Sequence, residues 1–223
     1  MPKVSDEYFE NKKRFIVDAA YKVCLKKPAQ MVTMTDVIEE THLSQGGIYR
    51  FYKDLDEILS DMVTGMRSKY NFIDGIDKIF KEGEEISFEE AVKKVCDVLS
   101  DTMEEHLLDI QKINFDLTVL AINDPDRADK IIGNIKGRGN FEYLAKVALP
   151  LLNEASKKHG LKPKGSPKEL YDFISSAYAG IELNCILSAC YKNGSFNVDV
   201  RPKPLFDTLA KTIIFLFGGS SYE

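Results

Sequence analysis

A short stretch with few side chains stands out in the first quarter of the chain. Ser44-Gln45-Gly46-Gly47 combines a hydroxyl, an amide and two glycines, and the apolar Ile48 follows it. If Ser44 caps a helix, the first turn of that helix presents free backbone amides with almost nothing covering them. Such a helix end suits contact with phosphates and base edges. Two glycines in a first turn cost about 1 kcal/mol each relative to alanine, and close approach of another molecule would offset that cost.

The residues before this stretch predict a second short helix and a tight turn. Thr33 is a candidate N-cap, and Asp36 stands at the N3 position, from which its carboxylate can accept a hydrogen bond from the Thr33 amide. His42-Leu43 then makes the turn between the two helices. A longer helix from about residue 6 to residue 27 carries an apolar stripe that would cover both. The pattern is that of a helix-turn-helix on a small three-helix core.

These residues resemble the helix-turn-helix of the TetR family of transcriptional regulators. The positions that match the family pattern are Thr33, Val37, Thr41, Leu43, Ser44, Gly46, Ile48, Tyr49, Tyr52 and Ile58. Three positions depart from it: His42 stands where the family usually has glycine, Ile38 replaces a small alanine, and Leu55 replaces a lysine that commonly touches a phosphate. Lys53 is the nearest substitute for that lysine. Beyond the N-terminal helices, only the helical pattern and the length agree with the family.

The predicted DNA contacts fall into two groups. The residues assigned to phosphate contact and register are Ser44, Gly46, Gly47, Tyr49 and Lys53, with Thr33 as a cap that also touches a phosphate. The candidates for base edges are Thr35, Gln45 and Arg50, because glutamine suits adenine and arginine suits guanine. Each of them also fits a solvated surface residue, and Tyr49 also fits a core tyrosine.

Composition and charge limit the class of protein. The 223 residues are 44% hydrophobic and 29% charged, which is ordinary for a soluble globular protein. No apolar run approaches the roughly 20 residues of a membrane helix, and the first residues contain no secretory signal, so we expect a cytoplasmic protein without a membrane partner. The net charge of −5 argues against a bulk nucleic-acid coat protein. The charges of residues 1–69 cancel, so the acidic excess falls on the remainder of the chain.

The remaining chemistry-bearing residues predict neither a metal site nor a cofactor. His42, His106 and His159 are isolated, and the four cysteines (Cys24, Cys96, Cys185 and Cys190) include no CxxC pair. In a cytoplasmic chain we expect reduced, mostly buried thiols. A redox pair formed by Cys185 and Cys190 is the alternative, although their spacing on a helix points the two thiols apart. We see no convergent set of nucleophile, base or metal ligands, and therefore do not expect an enzyme.

The rest of the chain predicts an all-α fold of about nine helices. We expect a helix-turn-helix DNA-binding domain at residues 1–53 and a larger ligand-binding and dimerisation domain at residues 54–223. A helix capped by Asp54 begins the second domain and would act as a lever between the two. A loop is expected at about residues 74–85, with room for one helical turn, and a long helical stretch bent at Gly133 and Pro150 is expected from residue 125 to about residue 160.

The last two helices carry more apolar surface than one small domain needs. Two copies of the chain could pair there as a four-helix bundle, and the resemblance favours this dimer. The interface candidates are Phe173, Ala177, Gly180, Ile181, Leu209, Ile213 and Leu216. The alternative is that both helices simply close the core of a monomer.

The resemblance also implies a ligand cavity in the larger domain. Polar residues inside apolar helices are its candidate lining, namely His106, Asn114, Tyr143, Tyr178 and Glu182. Each of them also fits an ordinary satisfied core or surface group. The function that follows is a ligand-responsive transcriptional regulator, a repressor by the family default, that binds a pseudo-palindromic operator as a dimer and is released by a small apolar or amphipathic molecule. The alternative is a DNA-binding regulator or architectural protein without a small-molecule inducer.

Overall fold

The computed structural model describes residues 6–69, 73–82, 86–135, 143–190 and 199–220. Every regular element in these ranges is a helix, which confirms the predicted all-α fold. The α-helices are α1 (Asp6–Lys26), α2 (Met34–Thr41), α3 (Gln45–Tyr49), α4 (Leu55–Lys69), α5 (Ile73–Glu82), α6 (Phe88–Glu105), α7 (Lys112–Asn123), α8 (Pro125–Gly133), α9 (Leu149–Lys158), α10 (Pro167–Cys190) and α11 (Pro202–Leu216). A 3₁₀ turn (Ala29–Met31) follows α1, and π-helical turns (Leu107–Gln111 and Leu144–Ala148) precede α7 and α9.

Side-chain caps begin several of these helices, and those at Thr33 and Asp54 form where the sequence predicts them. The capping oxygens accept from backbone amides three residues later: Thr33 Oγ1 from Asp36 at 3.3 Å, Asp54 Oδ1 from Glu57 at 3.0 Å, Ser87 Oγ from Glu90 at 3.1 Å, Asp124 Oδ1 from Arg127 at 3.1 Å and Ser166 Oγ from Glu169 at 3.3 Å. Each bond satisfies an amide that the helix itself cannot pair. The helix starts are therefore set by local chemistry.

The helices pack as two compact units, each built from two separate parts of the chain. The first unit contains residues 1–70 and 108–137, and the second contains residues 71–107 and 138–223. The core of the first unit joins α1–α4 with α7 and α8, through residues such as Ile16, Ile48, Leu59 and Ile113, all fully buried. The predicted boundary at residues 53 and 54 lies within this unit. The assignment of DNA binding to residues 1–53 and of ligand binding and dimerisation to residues 54–223 stays a prediction.

The core of the second unit centres on α6 and α11, which run antiparallel. The rings of Phe88, at the start of α6, and Phe217, just after α11, lie 5.5 Å apart. Toward the other end, Lys203 pairs with Asp97 and with Asp207. The buried face of α10 packs against the same core.

Two segments differ from the sequence-based expectation. The loop expected at residues 74–85 is largely helical, because α5 places Ile76 and Ile79 against Ala91 and Val95 of α6 in one small cluster. The stretch expected as one bent helix from residue 125 is divided into α8, a π-helical turn and α9, and residues 136–142 lie outside the described ranges. These changes account for eleven α-helices in the described ranges instead of about nine.

Helix α10 is unusually apolar for its burial. Among the described residues, it is the one helix long and apolar enough to pass for a membrane span, with a mean hydropathy of 1.3 over 18 residues, of which 28% are buried. Core helices of soluble proteins pass the same test, so the result is weak support for a membrane span. Among the described residues of α10, the large apolar side chain left exposed is Phe173, at 46%.

Candidate nucleic-acid interface

The helix-turn-helix forms as predicted, with a reciprocal cap at its start. The Thr33 amide and hydroxyl both donate to Asp36 Oδ2 at 2.7 Å, while the Asp36 amide donates back to Thr33 Oγ1. Asp36 also accepts from Lys27 Nζ at 2.7 Å. The hydrogen bonds from Lys27 and Thr33 lower the pKa of the Asp36 carboxyl from 3.8 to about 2. The carboxylate therefore stays charged and holds α2 to the end of α1.

The turn between α2 and α3 depends on a left-handed residue. His42 has φ 56° and ψ 20°, and it is the one non-glycine residue with positive φ in the described ranges. Glycine adopts this conformation without steric cost, which explains why the TetR family usually has glycine at this position. The histidine keeps the turn geometry at some expense in backbone strain.

The start of α3 has a serine cap, and its first turn carries almost no side-chain atoms. Ser44 Oγ accepts from the Gly47 amide at 3.1 Å, as a serine N-cap should. A Cβ added to Gly47 would lie 3.2 Å from that same oxygen, so the cap itself explains the second glycine. A Cβ added to Gly46 would meet no heavy atom within 4 Å. Packing among the described residues therefore gives no reason for glycine at position 46.

The predicted DNA-contacting residues all lie in the segment from Thr33 to Lys53 of the first unit. All of them are exposed except Gly47, which is half-buried. Tyr49 has 47% of its surface exposed and is not the core tyrosine considered as its alternative. The Thr33 hydroxyl is engaged with Asp36, so a phosphate contact there would compete with the cap. The assignment of each residue to base or phosphate stays a prediction.

The opposite side of α3 is anchored in the core. Ile48 is fully buried, and α3 ends at Tyr49, two residues earlier than expected. The next residues turn inward: the rings of Phe51 and Phe9 lie 4.9 Å apart, and Tyr52 is 2% exposed. The short helix therefore presents one face outward and is held by the residues that follow it.

Three side chains from different elements meet behind that anchor. The Tyr52 hydroxyl donates to Asp61 Oδ2 at 2.9 Å, and Lys13 Nζ lies 3.4 Å from the same oxygen. Lys13 Nζ also lies 4.7 Å from the centroid of the Tyr52 ring. The members of this group are far apart in the chain and leave no local pattern, so the group could not be predicted from the sequence.

The charges around α2 and α3 are largely paired except on the exposed face. Lys26 Nζ lies 2.8 Å from Glu40 and lowers the pKa of its carboxyl, as Lys27 does for Asp36. Arg50 and Lys53 form no ion pair with any residue in the described part of the chain. Free cations beside uncovered amides are suited to binding a polyanion.

The predicted ligand-lining residues are divided between the two units. Asn114 lies on α7 in the first unit, whereas the other four lie in the second. Tyr143 is 1% exposed and donates to Asp77 Oδ1 at 2.6 Å, and the Tyr178 ring packs edge-on against Phe206.

The last two predicted lining residues are only partly buried. Glu182 on α10 is half-buried, and burial raises the pKa of its carboxyl from 4.5 to about 7. His106 is the residue after α6; its side chain is 16% exposed, and its Nε2 lies 3.7 Å from Glu105 Oε1. A ligand-binding role of the predicted lining residues stays a prediction.

A cleft of about 70 Å³ in the second unit was not anticipated from the sequence. Apolar side chains from α5, α6 and α9 form most of its wall, with charged residues at the rim; the lining is Phe80, Ile86, Ser87, Phe88, Ala91, Leu151, Glu154, Ala155, Lys158 and His159. No predicted ligand residue contributes to it. Its volume suits a small group or the end of a larger molecule.

The predicted dimer residues divide into two sets. Ile181, Leu209 and Ile213 are buried in the core of their own unit. Phe173 is 46% exposed, Ala177, Gly180 and Leu216 are half-buried, and a Cβ on Gly180 would meet nothing within 4 Å. The first set supports the helices from within, and Ala177 and Leu216 of the second set also pack partly against that core.

Comparison with known proteins gives one relative by sequence and several by structure. No protein-family model matches the chain. An uncharacterized HTH-type transcriptional regulator, YfiR of Bacillus subtilis, is 26% identical over 127 residues, which are 56% of this chain and 59% of YfiR. The chain thus matches little more than half the length of this curated relative.

Solved structures match over nearly the whole chain. A candidate TetR-family regulator from Mesorhizobium loti has a TM-score of 0.64 at 15% identity, covering 94% of this chain and 98% of its own. FadR of Thermus thermophilus, a TetR-family transcriptional repressor solved in complex with lauroyl-CoA, has a TM-score of 0.53 at 14% identity, covering 91% and 93%. The chain therefore has the all-α fold of the TetR-family transcriptional regulators.

Proposed function

We propose that this protein is a ligand-responsive transcriptional repressor that binds a pseudo-palindromic operator as a homodimer in the cytoplasm. The observation that carries the proposal is the exposed start of α3, where no side chain covers Gly46 and where Arg50 and Lys53 form no ion pair within the described part of the chain. A phosphate can approach backbone amides closely only where no side chain intervenes. The identity of the Bacillus subtilis relative as an HTH-type regulator supports the same role.

In this proposal Gln45 and Arg50 read base edges, and the α3 amides with Lys53 hold the DNA backbone. Arginine pairs with guanine and glutamine with adenine through two hydrogen bonds each. Arg50→Ala should then cost about 1–3 kcal/mol and relax base preference, whereas Lys53→Ala should weaken binding to all sequences alike. Equal loss on every duplex for Arg50→Ala would assign it to phosphate instead.

The dimer rests on the uncovered apolar surface of the second unit. Phe173 on α10 and Phe215 on α11 are 46% and 44% exposed. Of the 18-residue apolar stretch of α10, only 28% of the residues are buried among the rest of the described chain. A second copy related by a two-fold axis would cover this surface and set two reading helices about 34–36 Å apart, one DNA turn.

The effector is proposed to be a small apolar or amphipathic molecule bound in the second unit. The regulator from Thermus thermophilus was solved with lauroyl-CoA, which joins an apolar chain to a charged nucleotide. If such a molecule favours a different spacing of the two reading helices, it releases DNA, and DNA weakens its binding by the same coupling energy.

Selection of bound duplexes from a random library tests the DNA-binding proposal without knowledge of the operator. The selected sequences should contain inverted half-sites one helical turn apart, and analytical ultracentrifugation should find a dimer. A monomer in solution, or selection of no sequence over bulk DNA, would refute the proposal. Adding metabolite extract to the selected complex then tests the effector. Release by an extract fraction supports a ligand-responsive regulator, and retention under every fraction favours a DNA-binding protein without an inducer.

A further inference from the structure

Helix α3 is too short to hold its own direction. It spans Gln45–Tyr49, little more than one turn, and isolated helices of that length are unstable in water. Its orientation must come from packing on both sides of it. On the N-terminal side the cap at Ser44 is exposed, and the preceding Leu43 packs against the core. Within and after the helix, Ile48, Phe51 and Tyr52 attach it to the same core.

The attachment at Tyr52 joins three elements through one carboxylate oxygen. Asp61 Oδ2, from the second turn of α4, accepts from the Tyr52 hydroxyl at 2.9 Å and from Lys13 Nζ of α1 at 3.4 Å. The Lys13 ammonium in turn lies over the Tyr52 ring. A planar ring held by its face, its hydroxyl and the surrounding core has little freedom to tilt.

The contribution of this group to overall stability should be modest. The side chains of Lys13 and Asp61 are 30% and 45% exposed, and partly solvated ion pairs contribute little to folding. Tyr52 is different, because burial and the Asp61 carboxylate raise the pKa of its hydroxyl, so the group remains a donor across the physiological range. The arrangement therefore fixes geometry more than it adds stability.

We propose that Asp61 is a positioning residue for DNA reading, which acts through Tyr52 to fix the direction of α3 and so the aim of Gln45 and Arg50. The inference rests on the proposed function. Base contacts need fixed donor and acceptor positions, whereas flexible lysines hold phosphates over a range of positions. A loosened α3 should therefore lose discrimination between sequences before it loses affinity for DNA in general.

Three variants separate this role from a structural one. Tyr52→Phe removes the hydroxyl and keeps the ring. Asp61→Asn removes the charge and keeps the size. Glu40→Gln is the matched control, because it breaks a different ion pair between α1 and a neighbouring helix, Lys26–Glu40 at 2.8 Å, and also removes one negative charge. Dissociation constants are measured by fluorescence anisotropy for a selected operator and for a scrambled duplex, at two salt concentrations, with thermal melts of each variant.

The ratio of the two dissociation constants is the deciding quantity. Tyr52→Phe should weaken operator binding about three- to tenfold and leave the scrambled duplex unchanged. Asp61→Asn should reduce the ratio similarly, and any tighter binding that comes only from the lost negative charge should appear equally on both duplexes and also in Glu40→Gln. Glu40→Gln should leave the ratio unchanged.

Two results would overturn the inference alone. A ratio unchanged in both test variants would show that α3 is aimed by other contacts, and a parallel loss on both duplexes that follows the melting temperature would show a purely structural role. If Asp61→Asn does not fold, Tyr52→Phe decides by the same criterion. A wild-type protein that prefers no duplex would instead refute the proposed function and this inference with it.

Discussion

Replacing Gly46 with alanine should separate folding from DNA binding. The residue lies in the first turn of α3, is exposed, and has no heavy atom within 4 Å of where a Cβ would be. Alanine fits without repacking and should raise the free energy of unfolding by up to about 1 kcal/mol, because alanine favours the helix over glycine. Judged by folding alone, the variant is an improvement.

The same substitution should weaken DNA binding. A methyl group at position 46 occupies the space through which a phosphate oxygen would reach the amides at the start of α3. Loss of one hydrogen bond to a charged group, about 1.5–3 kcal/mol, corresponds to a roughly ten- to hundredfold rise in Kd. Stability and affinity should thus change with opposite signs.

The assay pairs a denaturant titration with anisotropy on a selected operator. Gly65→Ala is the matched control, since Gly65 is an exposed glycine on α4 of the same unit, also with no neighbour within 4 Å of its Cβ position. It should gain similar stability and bind DNA as the wild type does. If Gly46→Ala also binds the operator with wild-type affinity, the bare tip of α3 has no role in DNA contact and the proposed function loses its main support.

Three further predictions concern folding. His42→Gly should raise stability by about 1 kcal/mol in denaturant titrations, because glycine removes the strain of φ 56°; no gain would show that the histidine is not strained. Gly218→Ala should lower stability by about 1–3 kcal/mol, because φ is +91° there and a Cβ would lie 2.5 Å from the Lys162 carbonyl oxygen; a wild-type melting temperature would contradict this. Asp36, whose folded pKa of about 2 lies below the unfolded value, stabilises the protein above pH 4 and loses that effect as pH falls toward 2. Asp36→Asn should therefore be less stable by about 1 kcal/mol at neutral pH, and the difference should vanish in acid.

Local signals predicted the starts of the helices well. A hydroxyl or carboxylate three residues before a free amide suffices to predict a cap, and the caps at Thr33, Ser44 and Asp54 form as expected. The glycine pair was also informative, although for different reasons at its two positions. Gly47 makes room for the cap, and Gly46 has no structural explanation among the described residues.

Features that depend on distant partners could not be predicted in the same way. Helix α5 has only a few apolar residues between glycines and charges, and it is held by α6, which the sequence does not place beside it. The same holds for Asp61, which meets Lys13 from 48 positions away.

The dimer set shows a second limit of periodicity. Helix α10 is apolar on most sides, so its pattern does not reveal which stripe faces its own core, and Ile181 turned out to be buried while Phe173 is exposed. Packing, which a single sequence does not contain, decides between such faces.

The contacts of α4 bear on how a ligand signal could reach the reading helix. The Ser60 hydroxyl, 2% exposed, lies 2.9 Å from the Ile131 carbonyl of α8, and Arg127 Nε lies 2.9 Å from Asp56 Oδ1. Both contacts fall in the first two turns of α4, next to the residues that hold α3. A displacement of α4 as a lever must therefore carry α8 with it or break a buried hydrogen bond and an ion pair together. Since α7 and α8 share a core with the helix-turn-helix, we expect any displacement of α4 to involve these helices as well, and the role of α4 as a lever stays a prediction.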